Sequence, residues 1–159
     1  MNTADRSVEA LDTALRRRFS FIEMNPEPET LNQSEFKCDG IDLTKLLIAI
    51  NGRIEKLLDK DYCIGHSYFM TIKNKNKPLE ELNDIFKNKI LPLLQEYFYG
   101  DWGKIMLVVG KEFVFKKVEP IKFLSNDLAD DYEEYSEKPI YCFTQSAKWT
   151  LDSFKSIYE

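Results

Sequence analysis

Apolar residues recur along this chain in several rhythms. Asp42 opens a stretch in which Leu43, Leu46, Leu47, Ile50, Ile54, Leu57 and Leu58 fall at the three-and-four spacing of an amphipathic helix. A second stripe of that kind starts at Pro78 and runs through Leu79, Leu82, Ile85, Phe86, Ile90, Leu93, Leu94 and Tyr97. Pro92 lies inside it and predicts a kink or two abutting segments, because proline removes a helical donor and crowds the preceding turn. Near the start of the chain, Ser7 is placed to cap a helix reaching about Arg17, with Val8, Leu11 and Leu15 on one stripe. Phe19 to Met24 then alternates as a strand does, and Asn25-Pro26-Glu27-Pro28-Glu29-Thr30 ends it with the composition of a linker.

Beyond the second stripe, Gly100-Asp101-Trp102-Gly103 breaks the pattern before an apolar run from Lys104 to Val109. Phe113-Val114-Phe115 and Ile140-Tyr141-Cys142-Phe143 read as two short strands suited to pairing with each other. Asp127 to Glu137 is acidic and reads as a solvated loop, and Trp149 to Tyr158 as a closing helix. The fold class expected is mainly α with a minor β element, an α+β arrangement.

At 159 residues the chain is long enough to bury a core of its own, and 43% hydrophobic with 31% charged is ordinary for a soluble domain. A net charge of −5 argues against a surface built for phosphate backbones, which needs clustered Lys and Arg. Lys73-Asn74-Lys75-Asn76-Lys77 is a basic run, and a solvated loop explains it. The aromatic residues read as packing, and Tyr68, Phe69 and Met70 as core. Cys38, Cys63 and Cys142 are widely spaced and odd in number, which fits reduced thiols in a cytoplasmic protein better than a disulfide framework. No stretch approaches the roughly 20 apolar residues that cross a bilayer, and the first 20 residues lack the apolar region of a signal peptide. No membrane association is expected.

Complete catalytic motifs are missing. The two Gly-Lys pairs, Gly103-Lys104 and Gly110-Lys111, are not followed by Ser or Thr, so neither completes a phosphate-binding P-loop. No nucleophile elbow, zinc-protease motif or paired C-x-x-C occurs, and with His66 the single histidine no metal site is expected. Asn2-Thr3-Ala4-Asp5 matches the short guanine-recognition pattern N-x-x-D, but Asn2 and Asp5 also read as turn formers. Arg16, Arg17 and Arg18 read equally as a cationic last helical turn, favourable against the helix dipole.

A longer string is more specific. Met1-Asn2-Thr3-Ala4-Asp5-Arg6-Ser7, with Leu11-Asp12 and Ala14-Leu15-Arg16-Arg17-Arg18-Phe19, closely resembles the McrB family of AAA+ nucleotidases, motor subunits of modified-cytosine restriction systems. The resemblance continues in Asn51-Gly52-Arg53-Ile54-Glu55, in Ile64-Gly65-His66-Ser67-Tyr68-Phe69-Met70, and in Ile90-Leu91-Pro92-Leu93-Leu94-Gln95-Glu96-Tyr97-Phe98, and it covers about residues 1–110.

This resemblance implies a division of the chain. Residues 1–25 would be the last part of an AAA+ α/β core, comprising the sensor-1 end, the arginine-finger helix and the last core strand. Residues 26–41 would be a linker and 42–110 a helical lid. Residues 111–159, a small hairpin and a helix, are left unassigned. In the family the P-loop and Walker B segments precede sensor 1, so Met1 reads as an internal methionine of a longer NTPase.

The resemblance also implies roles. Asn2 takes the place of sensor 1 and Asp5 that of its neighbour. Arg17 and Arg18 match trans-acting arginines, with Arg17 the first choice for the finger. Gly65, His66 and Ser67 are placed at a nucleotide-facing position of the lid, although a structural histidine is the other reading of His66. The chain itself is expected to carry no cofactor, while the parent would use GTP or ATP with Mg²⁺. Expected partners are neighbouring protomers of a ring, by family habit a hexamer, and a McrC-like nuclease subunit, with DNA contacted only through regions absent here. Two other readings stay open: a stand-alone helical interaction module without chemistry, and an unrelated small enzyme using His66 or a cysteine.

Overall fold

The first long helix, α1 (Leu43–Leu57), begins where Asp42 accepts a hydrogen bond from the Lys45 amide, satisfying a donor that a helix start leaves without an internal partner. Leu46, Leu47, Ile50 and Ile54 share its inner face and are fully buried. The computed structural model describes Arg18 and residues 24–117 and 139–159. The expected helix from Ser7 to Arg17, most of the strand from Phe19 to Met24, and the acidic stretch from Asp127 to Glu137 lie outside the described residues. Met24, the last position of that strand, is in no regular element and is 91% exposed.

Residues read as a linker are built into the core from Pro28 onward. Two 3₁₀ turns, Pro28–Asn32 and Ser34–Phe36, bury Leu31 and Phe36, and a tight turn from Cys38 to Ile41 buries both of its end residues. Four apolar residues spaced along a polar stretch carried this information, although no periodicity marked them.

The second stripe folds as α2 (Pro78–Ile85), a π-helical turn (Phe86–Ile90) and α3 (Leu91–Tyr97), with helical dihedrals at every junction. The expectation of a kink or two abutting segments around Pro92 is met by the second alternative, two segments joined through a π turn. The Leu91 amide bonds back five residues to the Phe86 carbonyl, and the widened turn makes room for the proline ring one residue later. Lys87, Asn88 and Lys89, whose carbonyls the proline and the wide turn disturb, are exposed to water. The wide turn also moves the buried face by one position: Leu91, Leu94 and Phe98 are buried, while Leu93 and Tyr97, expected from strict helical spacing, are only half-buried.

The apolar run after Gly103 is helical. α4 (Trp102–Val109) is capped by Asp101, which accepts from the Lys104 amide, and buries Ile105, Val108 and Val109. The expected strands pair antiparallel as β1 (Val114–Lys117) and β2 (Ile140–Phe143), with Phe115 opposite Cys142. The closing helix is shorter than its apolar pattern. α5 (Leu151–Lys155) starts at a reciprocal cap between Thr150 and Ser153, which leaves Trp149 outside, and a turn follows through Tyr158. The described part is thus mostly helical with one small two-stranded sheet.

Candidate functional site

The segment carrying Gly65, His66 and Ser67 is fixed from behind. Asn51, buried on α1, donates through Nδ2 to the Ile64 carbonyl at 2.8 Å and accepts through Oδ1 from the Ile64 amide at 2.7 Å. One side chain thereby satisfies both polar groups of a buried residue, which would otherwise cost about 1–3 kcal/mol each. Gly65 is extended, and a 3₁₀ helix from His66 to Ile72 follows, anchored by buried Phe69 and Ile72. His66 is half-buried and its Nδ1 accepts from the Glu27 amide at 3.1 Å. Ser67 is exposed and Tyr68 is half-buried against the core. Met70, expected to pack, is exposed, because a three-residue turn rotates it off the face that Phe69 and Ile72 share.

Arg53, two residues after Asn51, joins separate parts of the chain. Its Nη1 donates to the Val108 carbonyl at 2.9 Å and its Nη2 to the Ile157 carbonyl at 2.6 Å. A planar guanidinium is suited to bridge two carbonyls at fixed separation. Both acceptors lie at the ends of helical segments, where carbonyls lack internal partners. Asn51 and Arg53 belong to a string quoted for its family resemblance, yet their roles here are architectural. The signal in the sequence was two polar groups beside the apolar stripe of a helix.

The remaining candidate chemistry is modest. Asn2, Asp5 and Arg17 lie outside the described residues, and Arg18 is exposed in a turn. The lysines of the basic run are paired: Lys73 with Glu35 at 2.6 Å, Lys75 with Glu81 at 3.1 Å and Lys77 with Glu80 at 2.7 Å. They form no open cationic patch. Glu81 is held below the usual carboxylate range by a hydrogen bond from Thr71 and then by Lys75. The three thiols are unpaired. Burial, reinforced by Asp39, pushes Cys38 up to about 12, and burial with Glu55, Asp59 and Asp61 also raises Cys63. Thiols raised in this way stay protonated at neutral pH and make poor nucleophiles. Among the described residues, no group of three or more His, Cys, Asp or Glu side chains could hold a metal ion, and no helix is long and apolar enough to cross a membrane.

Among the described residues, helices stack over a polar segment and the candidate chemistry lies in loops, an arrangement compatible with a helical lid. Comparison with known proteins agrees: the family described as "McrB, alpha-helical lid domain" matches residues 42–106. The chain is also similar to the EcoKMcrB subunit of a type IV methyl-directed restriction enzyme from Escherichia coli K12, at 40% identity over 113 residues. That alignment takes in 64% of this chain and 25% of the relative, so the chain spans about a quarter of the length of the protein it matches. Residues 42–106 match an McrB lid, and the chain is similar to that restriction subunit over the aligned part.

Proposed function

We propose that this chain supplies sensor 1, the trans-acting arginines and the lid of a ring-forming NTPase in a modified-cytosine DNA restriction system. The observation that carries this reading is the match to an McrB lid over residues 42–106, joined to 40% identity with a methyl-directed restriction subunit. Asn2 orients the attacking water, with Asp5 beside it. Arg17, with Arg18 next to it, reaches a neighbouring protomer's nucleotide and neutralises charge on the transferred phosphoryl group, a contribution of roughly 10³–10⁵ in rate in other NTPases. Arginine suits this role because its fork meets two phosphate oxygens together. Gly65, His66 and Ser67 face the nucleotide from the lid, on a backbone that Asn51 holds rigid. GTP or ATP arrives with its Mg²⁺, for which the described residues offer no cluster of ligands. Partners are the adjacent protomers and a McrC-like nuclease, in the cytoplasm.

Mixing subunits tests the assignment, in a polypeptide that carries this segment downstream of its P-loop. Arg17→Ala is expected to abolish most hydrolysis and to leave nucleotide affinity nearly intact. Activity should partly return when Arg17→Ala subunits are mixed with P-loop-disabled ones, since some sites then hold one intact P-loop and one intact finger. Asn2→Ala should not be rescued this way, because each site keeps a lesion. Mixed rings of Arg17→Ala subunits that stay inactive would show that Arg17 does not act in trans.

A further inference from the structure

We infer that His66 is a positioning residue: its ring, held in one tautomer, latches the incoming chain to the lid from Glu27 onward. The Nδ1 atom accepts from the Glu27 amide at 3.1 Å across a sequence separation of 39 residues. A neutral imidazole that accepts at Nδ1 carries its proton on Nε2. Both partners are pre-set. The backbone bearing His66 is fixed two residues upstream by the double bond between Asn51 and Ile64. Glu27 stands between Pro26 and Pro28, which restrict the backbone on either side, so a single hydrogen bond suffices to set its direction.

The anchoring continues downstream. Pro28 offers its carbonyl to the Thr44 hydroxyl at 3.2 Å, and the 28–32 turn packs against both α1 and the His66–Ile72 helix. Glu35 ties the next turn to the far end of that helix, through the Asn74 amide and the Lys73 ammonium. Met24 and Asn25, by contrast, are exposed. From Glu27 onward the chain therefore moves with the lid. The tautomer also sets what His66 offers a ligand. Nε2–H is a donor and selects an acceptor such as a phosphoryl oxygen over a metal ion. This ligand class rests on the lid facing a nucleotide, whereas the latch does not.

His66 is the single histidine of the chain, so its ring nitrogens are assigned without ambiguity in a ¹⁵N spectrum of the 159-residue protein. The expected result is a proton on Nε2. Amide exchange at Glu27 should quicken severalfold in His66→Ala and in His66→Gln, whose polar end lies at the distal position. It should stay slow in His66→Asn, whose Oδ1 takes the place of Nδ1. The Ile50 and Ile54 amides of α1 report that each variant is folded. A proton on Nδ1 would overturn the latch. So would Glu27 exchange that is unchanged in the Ala and Gln variants, or equally fast in the Asn variant, while α1 stays protected. Loss of the nucleotide reading alone would leave these results as predicted.

Discussion

The lid helices of residues 42–106 contribute most of the buried apolar core, whereas the described residues after Lys111 add five side chains to it, Phe113, Val114, Trp149, Phe154 and Ile157. Phe86, on the wide turn between α2 and α3, is fully buried and lies 5.4 Å from the Phe113 ring and 4.9 Å from Phe154. Trp102 of α4 packs on Tyr141 and Phe143 of β2. Tyr158 accepts the Asp42 amide with its hydroxyl, and Arg53 reaches the neighbouring Ile157 carbonyl. The C-terminal end of the chain is thus sewn along α1. Likeness to a known lid ends near residue 106, but the core does not, so family boundaries and folding boundaries are different quantities here.

The strongest challenge to that view is Phe86→Ala. Emptying a buried aromatic site costs about 3–5 kcal/mol. Because the ring belongs to both regions, the chain is expected to unfold in one transition at lower denaturant. A biphasic curve, with the sheet and α5 lost first, would separate the regions after all. Arg53→Met comes next. It keeps the aliphatic stem and strands two carbonyls, which is expected to cost about 1.5–3 kcal/mol. Amide exchange should quicken in α5 together with the end of α4, and Arg53→Lys should not restore it, since an ammonium cannot fork between the two acceptors. Faster exchange at α4 alone would reduce Arg53 to a local contact.

Two smaller effects belong to the lid alone. Tyr99, 84% exposed, ends α3 with a left-handed backbone at φ 51°, in a Schellman arrangement where Gly100 bonds to Gln95 and Tyr99 to Glu96. Tyr99→Gly removes the side-chain penalty of that conformation and should stabilise the protein by about 1 kcal/mol, read as a rise in melting temperature. Glu81 should show in the acid limb. Its carboxyl is held low in the folded state, so its contribution is present above the unfolded value of about 4.3 and is lost as pH falls through the lower folded value. The stability gap between the natural chain and Glu81→Gln should therefore narrow as pH falls below the unfolded value, and a gap that stays constant through the acid limb would remove Glu81 from the account.

Helix α1, its cap and the strand character of β1 and β2 were legible because each depends on short-range pattern. The packed stretch from Pro28 to Ile41 was not, since Leu31, Phe36, Cys38 and Ile41 follow no period and are buried only by distant partners. Lid likeness was visible in the Asn51 and Gly65 strings, but their physical tasks were not. Asn51 and Ile64 are thirteen residues apart, and only the fold brings them into contact. His66 was noted for a ligand, while its contact with Glu27 needed the folded path of a proline-flanked stretch.

The π turn from Phe86 to Ile90 has a consequence for comparing relatives. A turn of this kind is a helix carrying one surplus residue, and the helical faces on either side keep their phase whether or not the surplus is present. A relative one residue shorter here could therefore run as unbroken α-helix and still present the counterparts of Leu82 and Leu94 to the core. Such a shortening would press the ring of Pro92 into the turn before it, so the lost residue and a non-proline at that position should travel together. Alignments of McrB lids would then place a one-residue gap inside a helix rather than in a loop.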